Sequence, residues 1–274
     1  MAYSSWTKMT ESLVSIITPA YNSERFIAET IMSVQNQSYH NWEMIIVDDC
    51  STDRTAEIIF SFQKNDARIK YIKNETNRGT AFSRNIALQV AKGKWIAFLD
   101  SDDIWHPEKL KRQIDFMEKN NYHFSYTKYC EIDEKSDEIG VELSGPQIIN
   151  KRKMMAYCWP GCLTIMYNAD HIGLMQTIDI KINEEYALWI KITSKTNCYL
   201  LNDNLAKYRI HPNSLTNISY FKLVKWHFIM FRKLDRNVIS SIILTIGNHI
   251  FGTYKKIIYR KKTNNESRSN KRTK

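Results

Sequence analysis

Short apolar runs alternate with helix-periodic segments through the first 120 residues. Leu13-Val14-Ser15-Ile16-Ile17 is one run, ended by Pro19. Between Glu24 and Gln35, the residues Phe26, Ile27, Ile31 and Val34 recur at helical spacing. Trp42 to Val47 is a second run, closed by Asp48-Asp49. Ser51-Thr52-Asp53 then stands ready to cap a helix carrying Ala56, Ile59 and Phe60. Arg68 to Ile72 reads as a third strand, and Arg78 to Ala91 as a third helix ended by Gly93. Trp95 to Leu99 is the fourth strand. Ile104-Trp105-His106-Pro107 follows as a helix start, and Pro107 opens a helix through Met117. This alternation predicts a mainly parallel sheet with helices on both faces.

Past residue 120 the regularity fades. Tyr122 to Ile132 and Leu163 to Tyr167 are expected to be strands, and Ile139 to Met155, with its turn residues and basic patch, a mobile loop. Glu184 to Ser194 is a helix with Leu188, Ile192 and Trp189 facing inward. Cys198 to Leu201 and Ala206 to Ile210 are two late strands. From Tyr220 the apolar residues Phe221, Val224, Phe228 and Phe231 repeat at helical spacing, with Lys222, Lys225, Arg232 and Lys233 between them. Val238 to Phe251 is strongly apolar but falls short of the ~20 residues a spanning helix needs.

A chain of 274 residues, 43% hydrophobic and 12% aromatic, is one large domain or one domain with an appendage. Its net charge of +10 is uneven: residues 260–274 hold seven Lys and Arg against one Glu. A basic tail of this kind suits an anionic surface, either nucleic acid or lipid headgroups. The five cysteines (Cys50, Cys130, Cys158, Cys162, Cys198) are odd in number and scattered, which fits a reducing compartment and structural thiols. The polar stretch Met1 to Ser12 has no signal-peptide core.

The candidate chemistry sits at strand ends. Phe98-Leu99-Asp100-Ser101-Asp102-Asp103 gathers three carboxylates at the C-terminal end of a buried strand, the edge where open α/β sheets bind ligands. Like charges this close repel, and a divalent cation with a phosphate ligand would give them a purpose; the alternative is an acidic turn with Asp103 as helix cap. The first strand ends in Thr18-Pro19-Ala20-Tyr21-Asn22-Ser23-Glu24, a loop able to present backbone and small polar groups to a nucleotide. The second ends in Asp48-Asp49-Cys50-Ser51-Thr52-Asp53, where a carboxylate can accept bonds from a base N–H or from ribose hydroxyls. Arg84, on the helix after Asn77-Arg78-Gly79, can reach a phosphate or the acidic strand ends, or form a surface ion pair.

In their order and spacing, "Ile-Ile-Thr-Pro-Ala-Tyr-Asn", "Ile-Val-Asp-Asp-Cys-Ser-Thr-Asp", "Asn-Arg-Gly-Thr-Ala-Phe-Ser-Arg-Asn" and "Phe-Leu-Asp-Ser-Asp-Asp-Ile-Trp" resemble family 2 glycosyltransferases. The resemblance covers about residues 12–215 and is most specific over 12–107. It implies a GT-A (Rossmann-like) fold, with a nucleotide-binding half at 12–107 and an acceptor half at 108–215. An apolar, amphipathic helical extension would follow at 220–259, then a basic disordered tail at 260–274. It further implies an inverting transfer from a UDP-sugar with Mn²⁺ or Mg²⁺ as cofactor. Pro19, Ala20, Tyr21, Asn22, Glu24 and Asp49 would hold uridine and ribose, joined by Arg84. Asp100-Ser101-Asp102 would be the DxD motif, with Asp102 on the metal and Asp100 at the ribose or metal shell. Arg209-Ile210-His211 resembles a late motif whose His approaches the metal or diphosphate. The family's base lies in a Glu-Asp pair before an aromatic and "Leu-Trp"; Asn183-Glu184-Glu185-Tyr186-Ala187-Leu188-Trp189 matches it with Glu185 in place of the Asp. Either Glu184 or Glu185 is then the base, with register favouring Glu185. Trp159, Gly161 and Trp189 are the candidate acceptor contacts.

Size, the glutamate pair and the basic C-terminus resemble bacterial O-antigen hexosyltransferases acting on GlcNAc-diphosphate-undecaprenol at the cytoplasmic face of the inner membrane. The partners then expected are a UDP-sugar, this lipid-linked acceptor and an anionic membrane surface. Two other readings compete. A sugar nucleotidyltransferase should carry a Gly-rich basic loop after the first strand, which Thr18 to Glu24 lacks. A nucleic-acid-binding protein would use the basic tail but leaves the aspartate clusters without a role, so no nucleic-acid partner is expected.

Overall fold

The structure, a computed structural model, describes residues 11–212 and 219–262. The nucleotide-side half is β1 (Val14–Ala20), α1 (Ile27–Gln35), β2 (Trp42–Asp48), α2 (Thr55–Gln63), β3 (Ile69–Lys73), α3 (Thr80–Val90) and β4 (Trp95–Phe98). Then come β5 (Ile104–Trp105), α4 (Lys109–Asn120), β6 (Phe124–Ile132), β7 (Glu138–Leu143), β8 (Ile148–Ile149) and α5 (Lys151–Ala156). A 3₁₀ turn at Cys162–Thr164 leads to β9 (Met166–Asn168), α6 (Ala169–Ile172), α7 (Glu184–Ile192) and β10 (Cys198–Arg209). The C-terminal part is α8 (Tyr220–Lys233), α9 (Val238–Ile258) and β11 (Arg260–Lys262).

One sheet runs in the order β11-β7-β6-β9-β4-β1-β2-β3, with β10 pairing β5, β6 and β8 beside this path. The expected parallel sheet is the β4-β1-β2-β3 half. Beyond β4 the sheet becomes mixed, because β9 runs antiparallel to both β4 and β6. Strands β1 and β2 are buried on both faces, as a sheet covered by helices on each side requires. One core cluster joins Ile17, Ile45 and Phe98 to α3 and α7; the other joins Ile16, Met44 and Trp95 to α1, α2 and α4.

Several boundaries differ from the sequence expectation, each for a tertiary reason. β1 continues through Pro19 to Ala20. The β1 backbone turns towards β2 at Ala20, whose carbonyl accepts from Asp49 N, and towards β4 at Ile17, whose carbonyl accepts from Leu99 N. The donor that Pro19 lacks therefore points to the β4 side, where the paired register has ended at Ile17–Phe98. Helix α1 starts at Ile27 rather than Glu24, because the N–H groups of Asn22 and Ser23 are committed to Ser51 Oγ and Thr55 Oγ1. Phe60 faces solvent and packs on Tyr71 (ring centroids 4.5 Å apart) instead of entering the core. Ile104–Trp105 is a strand against β10, not a helix start. The segment expected as a mobile loop, 139–155, forms β7, β8 and α5. Leu163 and Thr164 belong to the 3₁₀ turn, so the strand there is only β9. The two late strands are one, β10, with register shifts between Leu201 and Asn204 and again before Lys207; the polar run Asn202-Asp203-Asn204 sits at these bulges. Arg260 to Lys262, placed in a disordered tail by the sequence, pair with Leu143, Glu142 and Val141, and Arg260 meets Glu131 at 2.7 Å. The remainder of that tail lies outside the described residues.

Candidate active site

The C-terminal edge of the parallel strands gathers three loops, and they bind one another. Asn22, in the left-handed region at φ 47°, receives Thr52 N on its Oδ1 (2.9 Å). Glu24 Oε2 accepts from Arg54 N (3.0 Å) while Asp53 Oδ2 accepts from Glu24 N (3.1 Å), a reciprocal cap at the start of α2. Pro19 and Ala20 are buried in β1, and the ring of Tyr21 is left half exposed above them. Asp49 is buried, with Oδ1 accepting from Asn74 Nδ2 and Arg78 N and Oδ2 from Gly79 N (2.6 Å). It thereby anchors the turn before α3. Its neighbour Asp48 accepts from Tyr71 OH and Ser51 N. The polar atoms of Asn22, Glu24 and Asp49 thus tie these loops to one another, with Asp49 buried and Tyr21, Asn22 and Glu24 exposed.

A hydroxyl bridge, Ser23 Oγ to Ser101 Oγ at 2.7 Å, ties the first loop to the acidic run after β4. Ser23 was not among the residues the sequence singled out; its place inside the Thr-Pro-Ala-Tyr-Asn-Ser stretch was the only signal. In the acidic run the three aspartates diverge. Asp103 turns inward, with Oδ1 accepting from Arg209 N. Its Oδ2 has no partner, and burial, then the charges of Asp102 and Asp100, raise its pKa well above the carboxylate range. Asp100 and Asp102 stay partly open to the cleft, their side chains 32% and 28% exposed. Asp102 Oδ2 lies 2.8 Å from His211 Nε2, so a strand end and a residue 109 positions later converge. Arg209 fixes this arrangement: its Nε donates to Asp102 O, its Nη1 to Asp133 O and its Nη2 to Glu29.

The second half of the cleft is built around Arg84. This side chain is buried, not part of a surface ion pair, and reaches Asp100 Oδ1 and Glu184 Oε1, each at 2.5 Å. Glu185 Oε2 is 3.7 Å from the same guanidinium. Burial works against the charge of Arg84, but Asp100 and the two glutamates outweigh it and raise its pKa. Thr80, another residue the sequence reading passed over, donates its hydroxyl to Glu184 Oε1 (2.6 Å). The glutamates thus differ in state. Glu184 is buried and doubly bonded, 4% exposed in its side chain, whereas that of Glu185 is 31% exposed. Desolvation in the cleft, then the charge of Glu184, push the Glu185 carboxyl up to about 8 against the pull of Arg84. A carboxylate with such a pKa is a stronger proton acceptor than an ordinary one. Asn183 precedes them at φ 68° as N-cap of α7, a conformation Asn tolerates better than most residues.

The candidate acceptor contacts are corrected by the packing. Trp189 is fully buried, edge-on to Phe98 at 4.9 Å, because α7 inserts this face into the core. Trp159 is buried as well: its Nε1 donates to Lys153 O, and Tyr157, Phe251, Tyr254 and Tyr259 surround it edge-on. Neither indole has a face to offer a sugar. Gly161 is half buried, and a Cβ there would meet Leu163 and Tyr129 at 3.0 and 3.1 Å, so its role is close packing. All five cysteines are free, and Cys162, beside the acid cluster, is held protonated by burial and by the charge of Asp100.

Among the described residues, no three His, Cys, Asp or Glu side chains are placed to hold a metal ion by themselves. Asp102 and His211 could supply one carboxylate and one imidazole. That donor set suits Mn²⁺ or Mg²⁺ when phosphate oxygens complete the shell, which is the usual way such ions are shared with a nucleotide.

A mixed α/β sheet with acidic loops at its parallel edge and a paired-glutamate helix across the cleft defines a group-transfer enzyme of the nucleotide-binding class. The chain belongs to glycosyl transferase family 2, whose profile matches residues 15–179. It is 42% identical over 233 residues to the UDP-Glc:alpha-D-GlcNAc-diphosphoundecaprenol beta-1,3-glucosyltransferase WfaP of Escherichia coli, covering 84% of this chain and 86% of that one. It is 36% identical over 249 residues to the E. coli enzyme of the same activity, WfgD, covering 90% and 96%. The fold is similar to that of S. aureus TarS 1-349 in complex with UDP-GlcNAc (TM-score 0.66, 21% identity, 86% of this chain and 70% of that chain). The enzyme is therefore a glycosyltransferase with the expected sheet-and-helix architecture and a C-terminal helical extension.

Proposed function

We propose that this glycosyltransferase moves a hexose, glucose or galactose, from a UDP-sugar to GlcNAc-diphosphate-undecaprenol. The transfer would serve surface-polysaccharide synthesis, with inversion at the anomeric carbon. The observation that carries this reading is the meeting, in one cleft, of the Asp102–His211 pair and the Glu184–Glu185 pair, joined through Arg84 and Asp100. The names of WfaP and WfgD support the donor and the acceptor.

In the reaction, an acceptor hydroxyl oxygen bonds to the anomeric carbon as that carbon's bond to the diphosphate oxygen breaks. UDP leaves with the electron pair, and Glu185 takes the hydroxyl proton. Glu184, fixed by Thr80 and Arg84, holds the first turn of α7 and keeps Glu185 aimed into the cleft. Tyr21, half exposed at the end of β1, would stack on the uracil ring, and Asp100 and Ser101 would border the ribose and phosphates. A divalent cation, when bound, stabilises the charge growing on the departing diphosphate, and Asp102 and His211 would hold it. The enzyme would work peripherally at the cytoplasmic face of the bacterial inner membrane. The test is a donor screen with purified protein, Mn²⁺ and a GlcNAc-diphosphate-lipid analogue, read by mass spectrometry. One added hexose from UDP-glucose or UDP-galactose is expected; transfer from neither overturns the substrate assignment.

A further inference from the structure

Helix α9 is amphipathic the wrong way round for a soluble protein. The residues it buries are Ser241, Thr245, Asn248 and Lys255. Two of them bond inward, Asn248 Nδ2 donating to Tyr186 OH (2.9 Å) and Lys255 Nζ to Trp159 O (2.6 Å), while the hydroxyls of Ser241 and Thr245 donate to Asn237 O and Ser241 O one turn back. Its outer face is a row of isoleucines, Ile239, Ile243, Ile246, Ile250 and Ile257, each 57–72% exposed. Ile242 and Tyr254 widen the row on either side, and across a shallow groove Phe221, 83% exposed, and Val224 of α8 continue it. An apolar patch of this extent on a soluble surface marks a contact site.

Two occupants fit an isoleucine row at spacings of four, three, four and seven: a second copy in a coiled coil, or a bilayer. A coiled coil needs charged residues flanking a narrow seam to set the pairing. Here the flanks are Ile242 and Tyr254, so the apolar arc is too wide and carries no such charges. Exposed lysines lie on the same C-terminal elements: Lys222 and Lys225 on α8, Lys225 lining the groove, Lys256 near the end of α9, and Lys261 and Lys262 on β11. A broad apolar face on elements rich in exposed cations matches an interface with anionic lipid. No described helix is long and apolar enough to cross a membrane.

We infer that the outer face of α9, with Phe221 and Val224 of α8, docks the enzyme on an anionic bilayer with its isoleucine row in the acyl–headgroup boundary. Docking is wired to the active site, because Tyr186, which holds Asn248 of α9, follows Glu185 directly. The inference deepens the lipid-linked-acceptor reading but does not need it, since vesicle binding is measured without any sugar.

The experiment is co-sedimentation with vesicles of phosphatidylglycerol and phosphatidylcholine, and with phosphatidylcholine alone, beside sedimentation velocity without vesicles. Full-length protein should pellet with the anionic vesicles at low salt and be released at high salt. Ile243→Glu/Ile246→Glu should reduce pelleting at least tenfold, and Ile243→Ser/Ile246→Ser by a smaller factor, both with unchanged circular dichroism. Both variants should keep transfer to a short-chain soluble acceptor. Full-length protein that stays in the supernatant, or variants that pellet like wild type, overturn the proposal. So does a vesicle-free dimer that the double variant splits, which assigns the face to a second copy. Loss of transfer with all substrates while wild-type pelleting persists bears on the proposed function and leaves the docking inference standing.

Discussion

Glu185 carries a carboxyl whose folded pKa, about 8, is above its ordinary value of 4.5. Its contribution to stability is therefore full below about pH 4.5 and lost as pH rises through 8. Glu185→Gln removes the cost of ionising the group in the cleft. At pH 8 the variant should melt about 2–4 °C higher than wild type, the shift about 1 kcal/mol produces in a chain of this size, and the gain should vanish near pH 5. The same substitution should lower kcat about 10²–10⁴-fold with little change in UDP affinity, measured by calorimetry, because it removes proton acceptance but keeps shape. Wild-type kcat should climb with pH towards 8, and the residual activity of the variant should lack that limb. If Glu184→Gln is the inactive variant while Glu185→Gln is near normal, the roles of the two glutamates are reversed. Across the cleft, Asp102→Asn should keep the melting temperature and abolish cation-dependent transfer. Wild-type activity that persists in excess chelator would remove the Asp102–His211 pair from the chemistry.

At the scale of elements, the site depends on how α3 and α7 are pinned to the strand ends. Arg84 is the pin, with Asp100 on one side and Glu184 on the other. Arg84→Ala strands buried carboxylates without a counter-charge and should cost about 3–5 kcal/mol, while Arg84→Lys recovers part of it; urea denaturation measures both. Behind α3, Gly93 lets the chain turn tightly into β4. A Cβ there would sit 2.5 Å from Ser15 N, so Gly93→Ala should lower stability by about 1–3 kcal/mol. The alternation of strands and helices was readable because β1, β2 and β4 are compact, mostly apolar runs bounded by turn residues and β3 mixes apolar with polar positions. The strand-end aspartates were readable as clusters, but not that Asp49 and Asp103 would accept from backbone N–H groups while Asp100 and Asp102 stay partly exposed. Pairing was not readable. The partners of Arg84 lie 16 and 100 positions away, and His211 meets Asp102 across 109. Nor does composition distinguish an aromatic that stacks on sugar from Trp159 and Trp189, which four aromatic neighbours and the sheet core respectively enclose.

For the whole molecule, the C-terminal region is part of the fold as well as a surface. Deleting residues 260–274 would remove β11 and expose the edge of β7, so a clean cut comes after Lys262. Truncation at that point should leave the melting temperature unchanged, because the pairing of β11 is kept. It removes Arg268, Lys271, Arg272 and Lys274, so it should weaken anionic-vesicle binding, each cation being worth about 1 kcal/mol near the surface. Truncation before Arg260 should lower the melting temperature, read by scanning calorimetry, through the lost strand and the lost Arg260–Glu131 pair.

The pairing of β11 with β7 also fixes an order of events during synthesis. Leu143 meets Arg260, so β7 is made more than a hundred residues before the strand that covers its edge. Chains fold from the N-terminal side as they emerge. The growing protein thus carries an open β-edge through the whole time that the catalytic cleft, α8 and α9 are being made, and an open edge invites pairing with other chains. The same strand that closes the edge is held to the end of α9 by Tyr259, whose carbonyl accepts from Ser144 N at the end of β7. Closure of the sheet is then a late step, completed only after the strands and helices of the transferase domain have all been made.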